Sequence, residues 1–181
     1  MYKIHIPNTE FFDNDKNQFV YINKTEIVIE HSLISISKWE AKWHKPFLSD
    51  KPKTTEETID YIKQMTISKN VDPLAYLVIP DKELKKVMEY IDDPHSATTF
   101  SEKEGHAKSN KEVITSELIY YWMVASTIPM ECEKWHLNRL LTLIRICGIK
   151  NQPPKKMSKR SIMSKNRALN AARRKQLGTN G

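Results

Sequence analysis

The chain has 181 residues, of which 39% are hydrophobic, and carries a formal net charge of +7 with only four glycines. That length suits one core-bearing domain with an appendage, and no apolar run approaches the roughly 20 residues that span a bilayer. So few glycines leave little room for a phosphate loop or a nucleophile elbow, and neither motif is found, so neither an enzyme nor a bound cofactor is expected.

The N-terminal stretch MYKIHIPNTEFF has no cationic segment followed by an apolar core, so no secretory signal is read and the cytosol is the expected compartment. Residues 2–6 alternate as a short strand that stops at Pro7. Residues 18–22 and 25–30 read as two more strands, joined as a hairpin at Asn23-Lys24, so a small antiparallel sheet over residues 1–30 is expected to open the chain. From His31 the period lengthens: Ile36, Trp39 and Trp43 are three and four apart on a short helix that Pro46 ends. Trp39 and Trp43, on a short and rather polar element, are candidate anchors for a partner.

Thr54 and Glu57 form a capping box for a second helix, carried to about Ile67 by Ile59, Tyr61 and Ile62. A third helix follows Pro80, with Leu84, Val87, Met88 and Ile91 inward and Lys82, Lys85, Lys86 and Glu89 outward. Between Asp92 and Asn110 the chain is polar and punctuated, a surface loop.

Residues 112–150 hold the two longest apolar-periodic runs. Ser109 and Glu112 read as a capping box for the first, whose inward face would be Ile114, Leu118, Tyr121, Trp122 and Ala125. Trp135, Leu137, Leu140, Leu141, Ile144 and Cys147 make the inward face of the second, which Gly148 would end. Pro129 disfavours helix at Ile128, so the two runs are expected to form a buried helical hairpin. Cys132 and Cys147, read on one helix, lie about 22 Å apart at 1.5 Å per residue, too far for a disulfide. Cys132 and His136 have a ligand-like spacing of four, but no third ligand follows at a recognisable spacing; a core thiol and a helix-surface histidine are the plainer reading, and no metal is expected.

The positive charge is concentrated at the end. Lys150, Lys155, Lys156, Lys159, Arg160, Lys165, Arg167, Arg173, Arg174 and Lys175 stand without a single acidic residue, leaving 19 basic and 22 acidic residues before them. By formal count the chain before Lys150 is at −3 and the stretch from Lys150 onward at +10, which divides it into a folded body over 1–150 and a basic partner-binding tail over 151–181. Pro153 and Pro154 separate the two, and a thin stripe of Ile162, Leu169, Ala172 and Gln176 lies on a helix expected from Ser158 to Leu177. The fold class is therefore α+β, mainly α: a small N-terminal antiparallel sheet, a helical body with a central hairpin, and a basic helical tail.

The segments HSLISISKWEAKWHKPFL, KTTEETIDYIKQMTI, ELIYYWMVASTIPMECEKWHLNRLLTLIRICGIKNQPPKKMSKRSIM and NRALNAARRKQLGTNG resemble a family of small proteins of tailed bacteriophages, the tail assembly chaperones. The resemblance covers most of the chain from His31 onward. It implies a morphogenesis factor made in the host cytoplasm that binds the long tape-measure protein and hands it to tail-tube subunits. It also implies that a longer, frameshifted product is common in such families. Trp39, Trp43 and the tail cations from Lys155 to Lys175 would then meet protein partners, with self-association as a further contact and no membrane. Two alternatives stay open: a neck or tail-completion protein retained in the virion, and a nucleic-acid-binding regulator gripping phosphates with the tail.

Overall fold

In the computed structural model, residues 1–13, 17–100, 113–152 and 158–178 are described. The architecture is α+β and mainly helical, with the strands at the N-terminus. The chain divides into two compact units, Met1–Gly148 and Ile149–Gly181.

Four strands open the first unit: β1 (Tyr2–Ile6), β2 (Thr9–Asp13), β3 (Gln18–Ile22) and β4 (Thr25–Ile29). β2 had no counterpart in the sequence reading, and the expected hairpin at Asn23-Lys24 does not form. Instead β1 pairs with β4 and β2 with β3, both antiparallel. Tyr2 faces Ile29 and Ile6 faces Thr25 in one ladder, while Thr9 faces Ile22 and Asp13 faces Gln18 in the other. The two ladders keep one register, so they are two halves of a single long ribbon. The interruption falls at Pro7, which has no N–H to donate. There the Asn8 side chain accepts the backbone N–H of Lys24 at 2.6 Å and holds the strands together across the gap. In the proximal half Ile4, Ile6, Ile27 and Ile29 are buried, whereas in the distal half Phe12, Phe19 and Tyr21 are exposed.

Helix α1 (Leu33–Trp43) starts with a capping box between Ser32 and Ser35 and ends at His44, which takes left-handed geometry at φ 52°. Leu33, Ile36 and Trp39 form its buried stripe. Helix α2 (Thr55–Met65) has the capping box expected of Thr54 and Glu57: the Thr54 hydroxyl accepts the Glu57 N–H at 3.2 Å, and a Glu57 carboxylate oxygen accepts the Thr54 N–H at 2.8 Å. Tyr61, Ile62 and Met65 carry its apolar face, and Ile59 is only partly covered. A 3₁₀ segment over Pro73–Val78 leads to α3 (Asp81–Asp92). Its buried residues are Glu83, Val87 and Tyr90; Met88, expected inward, is exposed. Glu83 is inward because it has partners there, accepting from the Tyr2 hydroxyl at 3.2 Å, the His5 N–H at 3.4 Å and Lys86 at 2.6 Å. A carboxylate so supplied is tolerated inside a fold, and it ties α3 to β1.

The expected capping pair Ser109 and Glu112 lies outside the described residues, as does the Asn110 end of the expected loop. Helix α4 (Ser116–Ala125) is instead capped by Thr115, whose hydroxyl accepts the Leu118 N–H. Its inward face is rotated from the expected one: Ser116, Ile119 and Met123 are buried, while Ile114, Tyr121 and Ala125 are exposed. α4 packs chiefly against α1. The turn at Pro129 forms as expected, but it continues into a 3₁₀ segment over Met130–Lys134 before α5 (Leu137–Lys150) begins. Trp135 and His136 are not helical, because this stretch pairs with the β4–α1 junction: Ser32 bridges His136, and the Leu137 N–H is accepted by the His31 carbonyl at 2.8 Å. Cys132 and Cys147 therefore sit on different elements, and both are free thiols. α5 runs past Gly148 to Lys150, so that glycine is not a helix stop.

The second unit contains α6 (Lys159–Leu177). Among the described residues no helix is long and apolar enough to cross a membrane.

Candidate partner-binding surface

Helix α6 is built by its ends. The Ser158 hydroxyl caps the first turn by accepting the Ser161 N–H at 3.2 Å, and Gly178 closes the last with φ 64°, its N–H donated to the Arg174 carbonyl. Left-handed geometry at this position favours glycine. Arg174 and Lys175 in the last turn complement the negative end of the helix dipole. No residue of α6 is buried. Exposed Ile162, Met163, Leu169 and Leu177 thus stand on a helix that contributes nothing to a core.

Seven of the expected tail residues fall on this helix: Lys159, Arg160, Lys165, Arg167, Arg173, Arg174 and Lys175. Lys155 and Lys156 lie outside the described residues. The cations are spread around the helix circumference, but Arg160, Arg167 and Arg174 recur every seven residues. They make one row, spaced about 10.5 Å along the axis, on the side away from Ile162 and Leu169. Sequence spacing alone contains that row, since the period of seven needs no tertiary contact.

The two tryptophans are placed differently from the expectation. Trp39 is 1% exposed, with its indole N–H donated to the Glu57 carbonyl at 2.9 Å, so it is a core residue joining α1 to α2 and cannot anchor a partner. Trp43 is partly exposed and donates to the Asp60 carboxylate at 2.9 Å. Lys42 also bonds that carboxylate, at 2.5 Å. Burial opposes ionisation of Asp60, yet the bonds from Lys42 and Trp43 outweigh it and hold its carboxyl below the usual range. The Lys45 hydrogen bond does the same for Glu57, helped by the Thr54 N–H. This face of α1 is occupied by internal contacts.

An open apolar groove of about 340 Å³ runs between α4 and α5, lined by Trp122, Ala125, Leu141, Ile144 and Gly148. The sequence reading assigned most of these residues to a closed hairpin seam. Gly148 lies in open space along this groove, with nothing within 4 Å of its would-be Cβ. Nearby, the Arg145 guanidinium lies 4.0 Å over the Phe100 ring and that of Arg139 lies 4.3 Å over Trp135.

His136, read as a helix-surface residue, is buried in a row of imidazoles. Its ring is 5.1 Å from that of His31 and stacks at 3.9 Å on that of His95. Its Nε2 lies 3.0 Å from the Tyr90 carbonyl, while Nδ1 is buried without a partner. His31 Nδ1 meets the Tyr61 hydroxyl at 2.5 Å. Burial, then the neighbouring His136 and His95, push the His31 pKa down to about 3; burial also lowers that of His136. The His31 and His136 rings are neutral packing elements at neutral pH. Among the described residues no three His, Cys, Asp or Glu side chains converge as a metal-ligating group. Comparison of the chain with protein-family models, with curated proteins and with solved structures finds no match.

Proposed function

We propose that the protein is a non-enzymatic assembly factor of a tailed bacteriophage, a tail assembly chaperone that binds the tape-measure protein and tail-tube subunits in the host cytoplasm. The observation that carries this reading is α6, a capped helix of 19 residues with no buried side chain, a thin apolar stripe and no acid. A helix with this composition gains little from ordering alone in water, and a partner that accepts both stripe and charge would supply the missing stabilisation. The α4–α5 groove supports the same reading, since an amphipathic partner helix lays its apolar face into such a groove. The resemblance of the segments from His31 onward names the partner.

The test is affinity capture of the full chain from infected cells. Tape-measure or tail-tube protein should be recovered, and recovery should drop when Arg160, Arg167 and Arg174 are changed together to Glu. Capture with no tail or virion component would count heavily against the proposal. Mass spectrometry of purified particles separates a chaperone, which should be absent, from a neck or tail-completion protein, which should be present.

The row of three arginines also favours a second reading, a nucleic-acid-binding regulator. Its affinity would fall with salt at a slope near −0.9 per duplex phosphate neutralised. Against it, α6 has no aromatic residue for base stacking. Gel shifts with random duplex and single strands between about 50 and 200 mM salt decide between the two.

A further inference from the structure

A cleft of about 290 Å³ lies between the end of α1 and the start of α2. It exists because His44 turns the chain at φ 52°, so that residues 45–53 double back before Thr54 caps α2. Pro46 and Pro52 form apolar walls, and three lysines, Lys45, Lys51 and Lys53, are among its lining residues. The one acid there, Glu57, is already engaged: one oxygen pairs with Lys45 at 2.5 Å and the other accepts the Thr54 N–H at 2.8 Å. Among the described residues, no carboxylate is paired with Lys51 or Lys53.

Lys53 is the distinctive member. Its ammonium sits 4.2 Å over the Phe47 ring and 5.9 Å over that of Trp39, half-buried. Aromatic faces replace lost water only in part, and burial holds its pKa below the ordinary value against the opposing pull of Glu57. An incoming anion would supply the missing counter-charge.

We infer that this cleft is a binding site for an acidic side chain, Asp or Glu, presented by a protein partner. Its volume exceeds what a bare inorganic anion fills and suits a carboxylate with its carbon stem laid along Pro46 and Pro52. An extended polyanion fits less well. The lining holds no arginine fork for bidentate phosphate contacts, and Trp39 and Phe47 are buried and so offer no face for base stacking. The body around the cleft is net acidic, which repels a long anion more than a single carboxylate. The inference does not depend on α6 or on the identity of its partner.

The experiment uses the full chain, isotopically labelled, titrated with a blocked peptide of alternating Glu and Ala. Parallel arms use its Gln counterpart and inorganic phosphate. The readouts are the Trp39 indole N–H, the Phe47 amide and the Lys53 ammonium resonances, which separate this cleft from the tail cations that also attract acidic peptides. The Glu peptide should shift all three saturably and the Gln peptide should not. Lys53→Gln should weaken the effect about tenfold, which is 1.4 kcal/mol, while Lys85→Gln on α3 should leave it unchanged. Lys51→Gln, at an exposed position, serves as the second variant should Lys53→Gln disturb the Phe47 amide of the free protein. No shift, an unchanged shift in both variants, or an equal response to phosphate alone would overturn the assignment.

Discussion

The carboxylate of Glu40 accepts the backbone N–H of Ser116 at 2.7 Å, joining the middle of α1 to the first turn of α4 across 76 positions of sequence. Its other oxygen accepts the Phe47 N–H, also at 2.7 Å. Glu40 is buried, and each of its two bonds satisfies a main-chain donor that has no water to turn to. Glu40→Ala leaves both donors unpaired and should cost about 3 kcal/mol. Glu40→Gln, which keeps one acceptor and turns an N–H toward a donor, should cost about half of that. Denaturant unfolding of the two variants checks the order; equal and small losses would mean that the bridge does not hold α4.

Trp39 and Trp43 should separate cleanly under truncation. Trp39→Ala opens a cavity in the α1–α2 seam and removes the bond to the Glu57 carbonyl, with an expected loss of about 3–5 kcal/mol. Trp43→Ala removes a partly exposed ring and one bond to Asp60, with an expected loss near 1 kcal/mol. A stable Trp39→Ala protein that had lost only partner capture would restore that residue as an anchor.

His31 and His136 predict a loss of stability that begins as the pH falls below the ordinary histidine value. His31 and His136 have folded-state pKa values below the ordinary 6.5, and the unfolded chain takes up protons at that ordinary value. Below pH 6.5 the unfolded state therefore binds more protons and stability falls with decreasing pH, by at most about 1.4 kcal/mol per unit for each histidine. Burial opposes the charge of His136 and its bond to the Tyr90 carbonyl favours it; of the charged groups around it, His95 and the terminal amino group oppose and Glu30 favours. The lowered carboxyls of Glu57, Asp60 and Glu83 contribute stability that is present above their ordinary values and lost only at lower pH. The interval from pH 6.5 to about 5 thus isolates the histidines. In His31→Phe the slope there should shrink measurably in denaturant titrations; an unchanged slope would rule out His31 as a source.

Removing residues 151–181 should leave the body folded. α6 contributes no buried side chain, and the cut preserves α5 to Lys150. Calorimetry of the truncated chain should give one cooperative transition within about 1 kcal/mol of the full chain, with capture of the partner abolished. Aggregation or loss of cooperativity would make the tail a structural arm.

Local chemistry was legible where a residue acts on its own neighbours. Thr54 and Glu57 cap α2 because both bonds close within three residues, and Pro46, Pro80 and Pro129 break the chain because of their own rings. The end-loaded charge and a helix from Ser158 to Leu177 were equally visible, since they need no distant partner. What stayed hidden depended on contacts far along the chain. α4 is apolar on most of its circumference, so periodicity had no polar side to read against; its bond to Glu40 and its packing on α1 turn Ile119 and Met123 inward instead of Tyr121. The helix expected to run unbroken to Cys147 was interrupted at His136 by pairing with Ser32. β3 and β4 each matched a strand pattern, but a strand pattern names no partner; burial of Ile4, Ile6, Ile27 and Ile29 selected the pairing of β1 with β4 over the hairpin expected at Asn23-Lys24. The periodicity of Trp39 was legible, but whether that face met solvent or α2 was decided by the tertiary structure, because burial is a property of what packs opposite.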